Sequence, residues 1–227
     1  MAITIGNTSF DTILPGASSW SRTLHTQDAG TDPFLYVELV ISNTWSITSV
    51  TWDGTPMNLY DVNVATTVTS TLKHYRYYLA NPSTGTKTIT VNFDSVYNTS
   101  FVWHAQSLLG TSAIVDDGWT NSANSPHIDT TTVANGDVLV VGGLSAYPIP
   151  TLSIDGVTYV YPTGVVHANV ESAQYVGKTS PPLTAGSVDI EFDTGASSLQ
   201  VTNSWVKFSE SAAPSGTAEG SWWLLMR

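Results

Sequence analysis

Residues 86–93 read Thr86-Lys87-Thr88-Ile89-Thr90-Val91-Asn92-Phe93. In an extended chain successive side chains point to opposite faces, so Ile89, Val91 and Phe93 share one face and Thr88, Thr90 and Asn92 the other. The same period of two continues outward on both sides. Upstream, Thr66 to Leu79 is rich in β-branched and aromatic residues and is closed by Asn81-Pro82-Ser83-Thr84-Gly85, a turn punctuated by both Pro and Gly. Asp53-Gly54 separates Trp45–Trp52 from Met57–Tyr60 and signals a hairpin, because both residues tolerate positive φ. Phe34–Ser42 is so apolar that it belongs at the centre of a sheet. Downstream, Ser100–Leu108, Ile128–Val133, Asp137–Gly142, Val157–Tyr161, Val170–Val176, Ser187–Phe192 and Leu199–Phe208 follow, divided by Gly, Asn, Asp and Pro. No segment carries a 3.6-residue period. The expected fold is all-β: a two-sheet antiparallel β-sandwich, jelly-roll-like, with a flexible C-terminal tail.

The polar stretch Asp116–Pro126 has the composition of a linker, yet neither half alone supplies enough obvious strands to close over a core. One sandwich over residues 1–210 is therefore expected. Residues 211–220 read as a linker. Residues 221–227, Ser-Trp-Trp-Leu-Leu-Met-Arg, form the most hydrophobic heptad of the chain.

Composition narrows the functional classes. The chain has no Cys, which excludes disulfide scaffolds, Cys-ligated metals and thiol catalysis. Eighteen acids against seven bases give a net charge of −11, the wrong sign for gripping nucleic acid or an anionic membrane surface. Only 11% of residues are charged; Ser and Thr, about a quarter of the chain, carry the solvation instead. The start, Ala2-Ile3-Thr4-Ile5, is a β-type stretch rather than a secretory signal. Together these fit an exposed β protein that is not exported by such a signal.

Candidate chemistry is sparse. His74 and His104 lie within strands, and His25, His127 and His167 in loops or at strand ends, with no ligand spacing among them. Alternation places His74 beside Leu72, Arg76 and Tyr78, and the simplest expectation is polar rungs on a sheet surface. Asp116-Asp117 precede Gly118-Trp119 in an expected loop. Asp189, Glu191 and Asp193 share a face, leaving Ile190 and Phe192 for the core; a hard cation is conceivable there, a solvated face simpler. No nucleophile elbow, SxxK or phosphate-binding loop occurs, so no catalytic residue, metal ligand or cofactor is expected. Among the aromatics, Trp45, Trp52, Tyr75 and Tyr77 are candidates for stacking on a sugar ring. In the tail, Trp222, Trp223, Leu224, Leu225 and Met226 are candidates either for docking onto a partner by strand addition or for a last strand.

Two stretches carry a resemblance: Ile47-Thr-Ser-Val-Thr-Trp-Asp-Gly-Thr-Pro-Met57, and Tyr77-Tyr-Leu-Ala-Asn-Pro-Ser-Thr-Gly-Thr-Lys-Thr-Ile-Thr-Val91. They resemble β-sandwich modules of tailed-phage structural and decoration proteins and of bacterial surface proteins. Thr132–Val140 and Gly186–Phe192 fit the same layout, so the resemblance covers about residues 34–208. It implies adhesion, decoration or fibre formation and transfers no catalytic residue. The resulting expectation is a non-enzymatic virion structural protein: a phage capsid decoration (cement) or head/tail accessory protein. Its partners would be the major capsid or another virion protein and copies of itself, on the virion surface, with no nucleic acid and no membrane. The alternative is a carbohydrate-binding adhesion module of a receptor-binding assembly, meeting cell-surface glycan; a glycan-cleaving enzyme stands third.

Overall fold

The computed structural model describes residues 3–13, 16–66, 71–97, 101–122, 126–145, 151–159, 172–177, 183–193 and 201–211. Every regular element among them is a strand. The first nine are β1 (Thr4–Ile13), β2 (Ala17–Gln27), β3 (Phe34–Ser42), β4 (Ile47–Trp52), β5 (Thr55–Pro56), β6 (Asn58–Thr66), β7 (Thr71–Ala80), β8 (Gly85–Tyr97) and β9 (Phe101–Leu109). Then come β10 (Ile114–Ser122), β11 (His127–Val133), β12 (Val138–Ser145), β13 (Thr151–Ile154), β14 (Val157–Tyr159), β15 (Ser172–Gly177), β16 (Gly186–Asp193) and β17 (Val201–Phe208).

The all-β, antiparallel class is as expected, but the strands build four sheets where one pair was anticipated. β1-β9-β3-β7-β6 and β2-β8-β4-β5 form the first half; β10-β17-β12-β15 and β11-β16-β13-β14 form the second. The orders correspond strand for strand: β10 takes the place of β1, β17 of β9, β12 of β3 and β15 of β7. In the other sheet β11, β16, β13 and β14 replace β2, β8, β4 and β5. The chain is thus two copies of one topology in tandem. The same hairpin recurs in both, Asp53-Gly54 (φ 50° and 81°) and Asp155-Gly156 (φ 50° and 75°). Asp53 N donates to Thr88 O, and Asp155 N to Asp189 O, each at 2.8 Å.

Both tips need the left-handed region, and a Cβ on Gly54 or Gly156 would meet no atom within 4 Å. Gly54→Ala therefore costs only backbone strain, about 1–2 kcal/mol. A urea midpoint that does not fall would contradict this reading of the turn.

The first half closes because β1 and β2 complete its two sheets. Both are polar enough to escape a hydrophobic-pattern reading, and β2 contributes Trp20 alone as a buried apolar side chain among its described residues. Its outward hydroxyls pair with those of β8 instead: Ser21–Thr90 at 2.8 Å, Thr23–Thr88 at 2.6 Å and Thr26–Thr86 at 2.7 Å. The stretch Asp116–Pro126 is no linker: its first seven residues lie in β10, paired along their length with β17. The linker at 211–220 is described only at Ser211, whose N donates to Gly110 O at 2.8 Å. The tail at 221–227 lies outside the described residues.

Three apolar clusters follow from these layers. Leu35, Val37, Leu39, Trp52, Tyr75, Tyr77, Ile89, Val91 and Trp103 belong to the first core, and Leu139, Val141, Ile154, Ile190, Phe192 and Trp205 to the second. The third holds Phe34, Tyr36 and Leu108 from the first half against Val138, Val140, Val206 and Phe208 from the second. The five-stranded sheet therefore has a buried second face. Odd-numbered residues of β3 fill the first core while Phe34, Tyr36, Glu38 and Val40 turn to the junction, which explains its unbroken apolar character.

Candidate functional site: a buried ionic cluster between the two sandwiches

Where the β1-β9-β3-β7-β6 sheet meets the second half, a polar cluster interrupts the apolar junction. Register sets its first rung: Glu38 of β3 pairs with Arg76 of β7 on one side and His104 of β9 on the other. His74 lies two residues from Arg76 and so shares its face. Asp61 of β6 pairs with Arg76, after a bulge between Leu59 and Asp61 that re-aims the edge strand. At the corresponding rung of the second sandwich stand Gly142, Tyr175 and Ser204.

Glu38 and Arg76 are wholly buried, and His74 and His104 are each 1% exposed. Tyr36 Oη donates to Glu38 Oε1 at 2.5 Å. His74 Nε2 lies 3.6 Å from Oε1, and His104 Nδ1 lies 3.8 Å from Oε2. Arg76 spans the two halves: its guanidinium donates to both Asp61 oxygens, to Asp117 Oδ2 on β10, and to Trp205 O on β17 at 3.2 Å. Tyr60 Oη donates to Asp117 Oδ1 at 2.8 Å, its ring lying under the guanidinium at 5.3 Å. His74 stacks on Trp119 of β10 at 4.9 Å. The carboxylates of Asp61 and Asp117 are part-exposed, so the cluster runs from a dry end at Glu38 to a wet end at the sheet edge.

This setting polarises the protonation states. Burial alone would raise the Glu38 carboxyl, but the histidines and the Tyr36 hydroxyl outweigh it and hold it below the usual range. Burial lowers His74 to about 4 against the pull of Glu38. Burial opposes the Arg76 charge too, yet Asp61 and the surrounding negative groups raise it further. Burial and the Asp117 hydrogen bond push Tyr60 up to about 12. His25 of β2, buried against Trp52 with Nδ1 3.1 Å from Ser9 Oγ, falls to about 4 through burial and then through His104.

A group whose folded pKa lies below its unfolded value binds protons better when unfolded, so its contribution is present at higher pH and lost on acidification. For His25 and His74 the window runs from the ordinary 6.5 down to about 4. Glu38 adds a loss in the same direction below its ordinary 4.5. Urea midpoints are expected to be flat above pH 7 and to drop steadily from pH 6.5 to 4. A midpoint independent of pH across that interval would refute the assignment of two neutral buried histidines.

The expected polar rungs are thus on the right strands but not on a surface: a second sandwich covers His74 and His104. His25 lies near the end of β2, within the expected loops or strand ends, whereas Asp116-Asp117 sit in β10 rather than in a loop. The proposed sugar-stacking rings do not form a platform. Trp52, Tyr75 and Tyr77 are core residues, with Trp52 Nε1 donating to Ser83 O at 2.8 Å. Trp45 is half-buried, edge-on to Tyr97 at 5.0 Å, with Nε1 on Val96 O. Burial of Trp52, Tyr75 and Tyr77 leaves these three no exposed face for a sugar ring, while Trp45 stays partly exposed.

Ile190 and Phe192 do enter the second core, leaving Asp189 and Glu191 to accept bonds from the Thr130 and Ser153 hydroxyls. Among the described residues no group of three or more His, Cys, Asp or Glu is placed to hold a metal ion. Nor, among them, is any helix long and apolar enough to cross a membrane. Trp222, Trp223, Leu224, Leu225, Met226 and His167 lie outside the described residues. Glu38, Asp61, Asp117 and Arg76 escaped the sequence reading as a set; the one available signal was a lone acid inside the apolar run Phe34–Ser42. No family model, no curated protein and no solved structure matches the chain.

Proposed function

We propose that this is a non-enzymatic structural component of a virus particle: a phage capsid decoration (cement) or head/tail accessory protein held on the outside by protein–protein contacts. The observation that carries the reading is the edge of the five-stranded sheet. β6 ends that sheet, and the facing sheet stops at the two-residue β5, so Leu59, Val62 and Val64 stand uncovered at 51%, 40% and 52% exposure. This apolar row lies on an edge strand that carries neither Lys nor Pro, its guards being one bulge and Asp61, and it suits a neighbouring virion protein or a second copy. The ionisable groups with strongly shifted protonation are engaged in holding sheets together, which favours a scaffold over a reaction centre. The tail residues Trp222–Met226 offer a second docking element.

The test is occupancy on purified particles of the virus whose genome encodes the chain. The protein is expected among the particle proteins, and Leu59→Lys with Val62→Lys and Val64→Lys is expected to reduce its occupancy more than tenfold while the purified variant stays folded. Absence from particles, or a gene set among saccharide-processing enzymes without capsid or portal genes, would overturn the reading. Full occupancy after deletion of residues 221–227 would remove the tail as an anchor.

A further inference from the structure

We propose that the contact between the two sandwiches is an acid-responsive latch, which parts on mild acidification while each sandwich keeps its own core. The latch is a mixed surface. Phe34, Tyr36 and Leu108 meet Val138, Val140, Val206 and Phe208, and beside them lies the only dry carboxylate of the described junction, Glu38, with two imidazoles within 4 Å.

The charged and titratable groups facing it come from five strands. β3 brings Glu38 and Tyr36, β7 brings His74 and Arg76, β6 brings Asp61 and Tyr60, β9 brings His104 and β10 brings Asp117. From behind, His25 of β2 is itself lowered by burial and then by His104, with Asp28 acting in the other direction. β17 adds the Trp205 carbonyl, and among the described residues β12 and β17 bring no ion pair to the cluster. Arg76 is the single fixed cation among these groups, and its guanidinium is already shared between Asp61, Asp117 and the Trp205 carbonyl.

His74 is pressed flat against Trp119 of the opposite half, so it regains water only when the halves separate. Its proton affinity is then the ordinary one, whereas in the closed form burial holds it near 4. Protons bind the open form better, and falling pH pulls the equilibrium toward it. For His74 alone this raises the opening constant roughly 20-fold between pH 7 and pH 5. Each half retains a separate apolar core after parting. His25 lies against Trp52 on the first core's side, so its acid response is loss of that sandwich rather than of the contact.

Hydroxyl-radical footprinting of the full chain at pH 7.5 and pH 5 separates these events by reading side-chain exposure. Labelling of Phe34, Tyr36 and Phe208 is expected to rise at least fivefold, with Trp52, Trp103 and Phe192 unchanged. No rise at the junction, or an equal rise in all six, would overturn the latch. His74→Phe keeps a ring on Trp119 but takes no proton, and its junction labelling at pH 5 should increase by less than half as much. A parental response from a folded His74→Phe protein would also overturn the proposal; if that variant does not fold, the parental footprint decides alone.

Discussion

Arg76→Met is expected to destabilise the protein by about 3–5 kcal/mol, far more than its loss of a single side chain's contacts would suggest. Arg76 is wholly buried and touches both halves, so its removal strands Asp61 and Asp117 without their cation and leaves the Trp205 carbonyl without its donor. The carboxylates at the wet end recover some solvation, but the buried Trp205 carbonyl does not. Removing one partner from a buried ion group leaves the remaining charges short of compensation. Urea unfolding gives the number, and a double comparison gives the cause. Arg76→Met combined with Asp61→Asn and Asp117→Asn removes partners together and is expected to recover part of the loss, since replacing an entire buried ion group costs less than breaking it. Equal losses in the single and triple variants would mean that the cluster is not coupled.

Trp52→Ala is expected to cost about 3–5 kcal/mol as well, for a different reason. Trp52 is fully buried at the end of β4, paired with Ile89, and its indole N–H is satisfied by Ser83 O. Truncation leaves a cavity in the larger core and frees the Ser83 carbonyl. Trp45→Ala should cost markedly less, because that ring is only half-buried. If both variants kept parental stability yet lost binding to an arrayed glycan, the sugar-stacking reading would return and the packing account of these rings would fall.

How far the sequence could be read depends on what each residue reports. Phe34–Ser42 carries its burial in an unbroken apolar run and Thr86–Phe93 in its alternation, and both are strands at the positions expected. β1, β2 and β10 carry few core residues and are held by ladder bonds, hydroxyl pairs and a neighbour's apolar face, so their polarity resembled that of loops. The duplication escaped for a related reason. Corresponding rungs hold Glu38, Arg76 and His104 in one half and Gly142, Tyr175 and Ser204 in the other. Only the turn chemistry of Asp53-Gly54 and Asp155-Gly156 is shared openly, because positive φ admits few residues.

By itself, then, the sequence determined the local things: extended chain, turn positions, which side of a strand each residue takes, and a surface solvated by hydroxyls rather than charge. Those follow from sterics and from a period of two, which need no distant partner. The pairing of two sandwiches face to face was decided only in three dimensions, and with it the conversion of Glu38, His74, Arg76 and His104 from a polar sheet face into a buried cluster. Alternation says that His74 and Arg76 point the same way; whether water or a second sheet lies in that direction is set by residues more than a hundred positions along the chain, such as Trp205 and Phe208.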